Sequence, residues 1–110
     1  MRRIIAVDFD GCLCENKWPK IGPANEAVIR RLLRMQATGD KLILWTCRTG
    51  ERLREAVDWC GERGLAFDAV NENLPEIIAA YGEDTRKITA SEYWDDRAVR
   101  VEFREEEKNA

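Results

Sequence analysis

The residues of this chain best equipped for chemistry are aspartates, and their spacing suits joint work. Asp8 and Asp10 close the stretch Ile4-Ile5-Ala6-Val7-Asp8-Phe9-Asp10-Gly11. Two apart in extended geometry, they lie on one side of the chain, with Phe9 turned away and Gly11 permitting a sharp departure of the backbone. Carboxylates placed at a strand end can hold a cation, act as a nucleophile or trade protons. A second pair, Asp95-Asp96, stands late in the chain. There is no histidine, which removes the usual catalytic triads and the usual general base, so acid and base work falls to carboxylates. Taken alone, Asp-x-Asp-Gly is equally a turn or a calcium-loop fragment. Its meaning depends on what surrounds it.

The four cysteines, Cys12, Cys14, Cys47 and Cys60, show no Cys-x-x-Cys spacing. Without histidine a zinc site would need all four thiols, so they read as small, semi-buried thiols in a reducing compartment. With 110 residues, 45% hydrophobic and 35% charged, the chain reads as one globular domain spanning 1–110. No apolar run approaches the roughly 18 residues of a membrane span, and Met1-Arg2-Arg3 leads straight into a strand rather than a leader peptide, which predicts a cytoplasmic protein. The net charge of −3 disfavours long-range attraction to nucleic acid.

The elements that must position these groups alternate strand and helix. Ile4–Val7 is a continuous apolar run, the pattern of a strand buried on both faces of a parallel sheet. The stretch 12–23, with two prolines and a glycine, reads as a loop or small flap beside the strand end, with Trp18 either a packing lid or a contact surface. Asn25 is placed to cap a helix to about Thr38 whose Val28, Ile29, Leu32, Leu33 and Met35 form one stripe. Lys41 to Trp45 predicts a second strand, ending in Thr46-Cys47-Arg48-Thr49-Gly50 before a helix from Glu51 to about Gly61. Thr46, Thr49 and the first amides of that helix could bind an anion. Phe67–Val70 predicts a third strand followed by Asn71-Glu72-Asn73. Leu74-Pro75 opens a short helix to Tyr81, stopped by Gly82. Glu92-Tyr93-Trp94 predicts a fourth strand, and the alternation of Val99, Val101 and Phe103 a short edge strand before a charged tail. Such alternation implies a doubly wound, Rossmann-like parallel sheet, because each crossover is right-handed.

With Asp8 and Asp10, Thr46, Asn71 to Asn73, and Asp95 with Asp96 all at strand ends, the sequence resembles the haloacid dehalogenase superfamily of phosphatases and phosphotransferases. Asp8-Phe9-Asp10-Gly11 looks like its first motif, Thr46 its second, Lys87 its third and Asp95-Asp96 its fourth, in the family's order and over roughly Ile4 to Ala98. Together with the Leu-Trp-Thr-Cys-Arg-Thr-Gly turn, the set is similar to a small phosphatase-like branch found in bacteria and phages. The resemblance implies a phosphate monoester hydrolase in which Asp8 attacks phosphorus and becomes an aspartyl phosphate, while Asp10 protonates the leaving oxygen and then activates water. Thr46 would hydrogen-bond the phosphoryl oxygens and Lys87 would neutralise charge. Asp8, the Asp10 backbone carbonyl and Asp95 would bind Mg²⁺, with Asp96 a direct or water-mediated ligand. Two positions depart from the family's habit, Cys12 after the glycine and Trp94 before Asp95; neither removes a catalytic group.

Physical reasoning agrees with a cation: like charges about 4 Å apart repel by about 4 kcal/mol at an effective dielectric of ~20, and oxygen-only ligands select a hard ion. Lys87 on its own reads as a surface lysine. The intervals between motifs are too short for the cap domain such proteins usually carry. The site is therefore expected to be capless and open, suiting a bulky phosphorylated substrate, a polynucleotide end among them, or closure by another subunit of a homo-oligomer. Arg48, Asn71, Asn73 and Trp18 are the candidate substrate contacts, with Glu15 and Lys20 on the flap. Two other classes compete: a receiver-like phosphoacceptor, which also gathers aspartates, a threonine and a lysine but carries its phosphorylated aspartate on a middle strand, and a non-catalytic interaction module.

Overall fold

In a computed structural model, which describes residues 2–103, the apolar run β1 (Ile4–Val7) is one of the two inner strands of a four-stranded parallel sheet. β4 (Lys41–Leu44) lies on one side of it and β6 (Glu92–Trp94) on the other, with β5 (Ala69–Val70) beyond β4. Strand alternation divides the core in two. Ile5 and Val7 with Leu42 and Leu44 face α1 (Glu26–Ala37) and α2 (Gly50–Glu62), meeting Ile29, Leu32, Ala56 and Cys60. Ala6, Ile43 and Ala69 face the opposite layer, built by Leu74, Ile88 and Ile77 of α3 (Pro75–Tyr81). Both faces are covered, as an all-parallel sheet requires. The chain steps outward from β1 to β4 to β5, then returns to place β6 on the other side of β1. The direction of winding therefore reverses at β1, and the carboxyl ends of β1 and β6 border the crevice where open α/β sheets take their ligands.

The predicted flap is a hairpin, β2 (Cys14–Lys17) paired antiparallel with β3 (Lys20–Ala24), with Trp18 and Pro19 at its tip. Its irregular register brings the strands so close that a Cβ on Gly22 would lie 2.3 Å from the Glu15 carbonyl oxygen, so only glycine fits there. At its base the Asn25 N–H donates to the Leu13 carbonyl and the Asn25 side-chain amide to the Cys12 carbonyl. Asn25 precedes α1 as expected, yet its side chain makes no capping bond; it is spent on anchoring the flap instead. Thr49 likewise precedes α2 without a side-chain cap.

Three expectations need correction. Trp45 lies past the end of β4, half-exposed and tilted against Tyr93 with ring centroids 5.5 Å apart. The third strand shortens to two residues, because the Asp68 carboxylate accepts from the Leu42 N–H and turns that stretch into a bend. The edge strand expected at Val99–Phe103 does not form: these side chains are exposed, Phe103 at 98%, and among the described residues three-residue β6 is the last strand. The turn after β6, closed by the Arg97 N–H on Asp95 Oδ1 at 2.9 Å, leads the chain away before it can pair. The charged tail beyond 103 lies outside the described residues.

Asn73 holds the segment that leads into β6. It is buried, with 1% exposure. Its amide donates to Asp84 Oδ1 at 2.8 Å and the Thr85 carbonyl at 3.1 Å, and its Oδ1 accepts from the Thr89 N–H at 2.7 Å. Replacing it with alanine leaves several part-buried bonds unmade, and a buried group stripped of its partner costs about 1–3 kcal/mol. Asn73→Ala should lower unfolding stability by about 2–3 kcal/mol in a urea titration, with faster hydrogen exchange at the Thr89 amide.

Candidate active site

The site is assembled by main-chain bonds. At the end of β1 the Asp8 N–H donates to the Trp94 carbonyl at 2.9 Å, extending the β1–β6 ladder by one rung, while on the other side the Trp45 N–H donates to the Val7 carbonyl at 2.9 Å. Asp95 and Asp96, next after Trp94, are thereby set beside Asp8. The chain then folds back: the Phe9 carbonyl accepts from the Cys12 and Leu13 amides, and Gly11 takes a φ of +83°. A Cβ on Gly11 would sit 2.5 Å from Asp96 Oδ2, so this glycine supplies both the left-handed turn and the space for the carboxylate.

Carboxylate oxygens of Asp8, Asp95 and Asp96 lie within 4.8 Å of one another, and among the described residues this is the one cluster able to hold a metal ion. An all-oxygen, three-carboxylate donor set fits a hard divalent cation. The cysteines take no part: Cys14 and Cys60 are buried, Cys47 is exposed, all are free, and burial pushes the Cys12 thiol up to about 12. Asp8 is strongly perturbed. Burial raises its carboxyl from an ordinary 3.8 to about 6, opposed by the Phe9 N–H donated to its Oδ1 at 2.7 Å and reinforced by Asp95, Asp96 and Asp10.

Asp10 stands apart from this cluster. Arg48 grips both of its oxygens, Nε to Oδ2 and Nη2 to Oδ1, each at 2.8 Å. Although predicted as a substrate contact, Arg48 has 1% exposure and sits between the rings of Phe9 and Trp18, 5.0 Å from each centroid. Its remaining donors reach the Pro19 and Lys20 carbonyls at 3.3 Å. The same guanidinium thus fixes Asp10 and pins the flap tip. The hydrogen bond and charge of Asp10 hold its own proton more firmly still.

These groups line an open cleft of about 380 Å³ that contains Asp8, Asp10, Thr46, Asp95 and Asp96 with Trp18 and Arg48. Thr46 is oriented from both sides, its N–H donating to Asn71 Oδ1 at 2.8 Å and its hydroxyl oxygen accepting from the Arg48 N–H at 3.2 Å. Asn71 is therefore a positioning group for Thr46, held with φ at +54°. Asn73, predicted as a substrate contact, is buried and fully engaged with the 84–89 segment. The Lys87 side chain is exposed and outside the cleft lining, while its backbone carbonyl accepts from Thr85 Oγ1 at 2.8 Å. Asn16, Cys47 and Arg97 also line the cleft, and sequence reasoning assigned them nothing. For Arg97 a signal existed, since it follows the acidic pair directly; for Asn16 and Cys47 only the folded flap and loop reveal it.

Asp8 keeps its proton to higher pH in the folded chain than in the unfolded one, so its contribution favours folding fully below pH 3.8 and is lost as pH rises through about 6. In a fully enclosed site the rise from 3.8 to about 6 would amount to about 3 kcal/mol; the open cleft screens it to about 1–2 kcal/mol. In metal-free buffer Asp8→Asn, which retains the acceptor for the Phe9 N–H, should be more stable than the parent at pH 7 by that amount and no more stable at pH 3.5. Paired denaturant titrations at the two pH values check this.

A scan against models of protein families matches none, and a search of curated proteins finds no match. Among solved structures, the chain is similar to a conserved protein encoded by a locus of Bacteroides thetaiotaomicron. The two superpose with a TM-score of 0.80 and 40% sequence identity, over 90% of this chain and 79% of the other. At that identity and coverage, this chain belongs to the same family as the conserved Bacteroides thetaiotaomicron protein.

Proposed function

We propose that the protein is a Mg²⁺-dependent phosphate monoester hydrolase of the haloacid dehalogenase type, capless, with Asp8 as its nucleophile. The observation that carries this reading is the convergence of the Asp8, Asp95 and Asp96 carboxylates at the switch point of the sheet, with Thr46 in the same cleft. Asp8, Asp95 and Asp96 would hold Mg²⁺, which when bound offsets the negative charge of substrate and carboxylates. An Asp8 oxygen attacks phosphorus, the P–O bond to the leaving group breaks, and the departing oxygen takes a proton from Asp10. Asp10 then removes a proton from water, whose oxygen attacks phosphorus and releases phosphate from Asp8. Thr46, aimed by Asn71, donates to the phosphoryl oxygens. Arg97 lines the cleft as a cation, whereas Lys87, exposed and outside that lining, would have to move toward the phosphoryl group to neutralise its charge.

A second reading has its own support. Both oxygens of Asp10 already accept from Arg48, an arrangement that leaves Asp10 no free proton to give. A protein that kept this pair intact throughout would accept phosphate on Asp8 and release it slowly, as a phosphoacceptor does. For the hydrolase, the pair must open or trade one bond during turnover.

Rapid-quench mass spectrometry with a phosphoryl donor and Mg²⁺ separates the two. The hydrolase predicts label on Asp8, none in Asp8→Asn, and a fall in turnover of roughly 10²–10⁴ for Asp10→Asn with a longer-lived phosphoenzyme. One stoichiometric phosphorylation without turnover in the unaltered protein would select the phosphoacceptor. Label on another residue would refute both.

A further inference from the structure

We propose that Trp18 is a stacking platform for a nucleobase, so that the cleft takes a nucleoside monophosphate with its phosphate at Asp8 and its base on the Trp18 indole; this rests on the phosphomonoesterase reading and names its substrate class. Trp18 stands at the tip of the β2–β3 hairpin, lines the same cleft as Asp8, Asp95 and Asp96, and remains 57% exposed. That exposed ring surface is open to a ligand entering the cleft.

The ring is also braced. The Arg48 guanidinium lies 5.0 Å from its centroid and is itself fixed by Asp10 and by the Pro19 and Lys20 carbonyls, while the Trp18 backbone N–H donates to Asn16 Oδ1 at 3.2 Å and fixes the main chain that carries the ring. Such a plate is held in place before a ligand arrives, so little ordering is lost on binding. A cation against one ring face draws on the negative quadrupole that would otherwise attract the C–H groups of a sugar. What such a ring stacks with best is another flat π system. The cleft volume of about 380 Å³ falls within the range of small-ligand sites and exceeds what a phosphate alone needs. Asn16 and Arg97, in the same lining, offer hydrogen bonds to sugar hydroxyls or base edges. The same chemistry is presented by a free mononucleotide and by the terminal nucleotide of an oligonucleotide, and the open cleft admits either.

The test compares adenosine 5′-monophosphate, ribose 5-phosphate and a 5′-phosphorylated oligonucleotide, which share the leaving oxygen, in the unaltered protein, Trp18→Ala and Trp18→Phe with Mg²⁺. The ratio of kcat/KM for the nucleotide over the sugar phosphate should fall about 10- to 100-fold in Trp18→Ala, mainly through KM, and be largely kept by phenylalanine. Calorimetry on Asp8→Asn, which binds without turning over, should show the nucleotide preferred over ribose 5-phosphate, and Trp18→Ala in that background should remove the preference. An unchanged ratio, a parallel loss for both substrates, or equal binding of the two by Asp8→Asn overturns the platform. Selective nucleotide binding with no hydrolysis of any phosphate upholds the platform and refutes the hydrolase; hydrolysis without nucleotide preference does the reverse. A higher kcat/KM for the oligonucleotide than for the free nucleotide assigns the site to chain ends, and the opposite order to free nucleotides.

Discussion

One main-chain hydrogen bond, from the Asp8 N–H to the Trp94 carbonyl, decides where negative charge collects in this molecule. Carboxylates do not gather spontaneously: two of them about 4 Å apart repel by about 4 kcal/mol at an effective dielectric near 20. Here the gathering is enforced by the sheet. β1 and β6 pair in parallel from Ile5 to Val7, and the bond at Asp8 continues the ladder to the point where both strands become acidic. The apolar layers on either side hold the strands in register, so packing energy from the core sustains the repulsion at the strand ends. Burial at the strand end, reinforced by the neighbouring aspartates, raises the proton affinity of Asp8.

The positive side of the site is arranged differently. Arg48 is withdrawn beneath the flap, where it neutralises Asp10; among the described residues no cation is paired with the Asp8, Asp95 and Asp96 carboxylates. Splitting four aspartates into one paired with a guanidinium and three that are not separates their chemistry before any ligand binds. Because the guanidinium also carries the Pro19 and Lys20 carbonyls and packs on Trp18, movement of the flap and release of Asp10 are mechanically linked.

The architecture was legible because it depends on patterns that local chemistry imposes. The apolar runs at Ile4–Val7 and Lys41–Leu44, the stripe on α1 and the Pro75 to Gly82 boundaries of α3 all follow from periodicity and turn residues, and the order of polar strand ends placed the acidic groups together. What composition could not reveal was partnership across long separations. Arg48 and Asp10 are 38 residues apart, and Asn73 grips Thr89 over 16; both looked like available polar groups until the fold buried them. The failed strand at Val99–Phe103 has the opposite cause. Its alternation satisfies the local pattern, yet the turn stapled by Asp95 denies it a neighbour, and a strand without a neighbour is not a strand.

Gly11 and Asp96 are separated by 85 positions along the chain, yet a Cβ added to the first would lie 2.5 Å from a carboxylate oxygen of the second. The two positions consequently cannot drift independently. A descendant of this sequence that acquired a side chain at 11 would have to displace the acidic group at 96, and one that traded Asp96 for a smaller residue would relax the steric half of the demand on 11 while keeping the demand of its positive φ. The turn after the first strand and the last acidic residue of the site are thus inherited as a single unit.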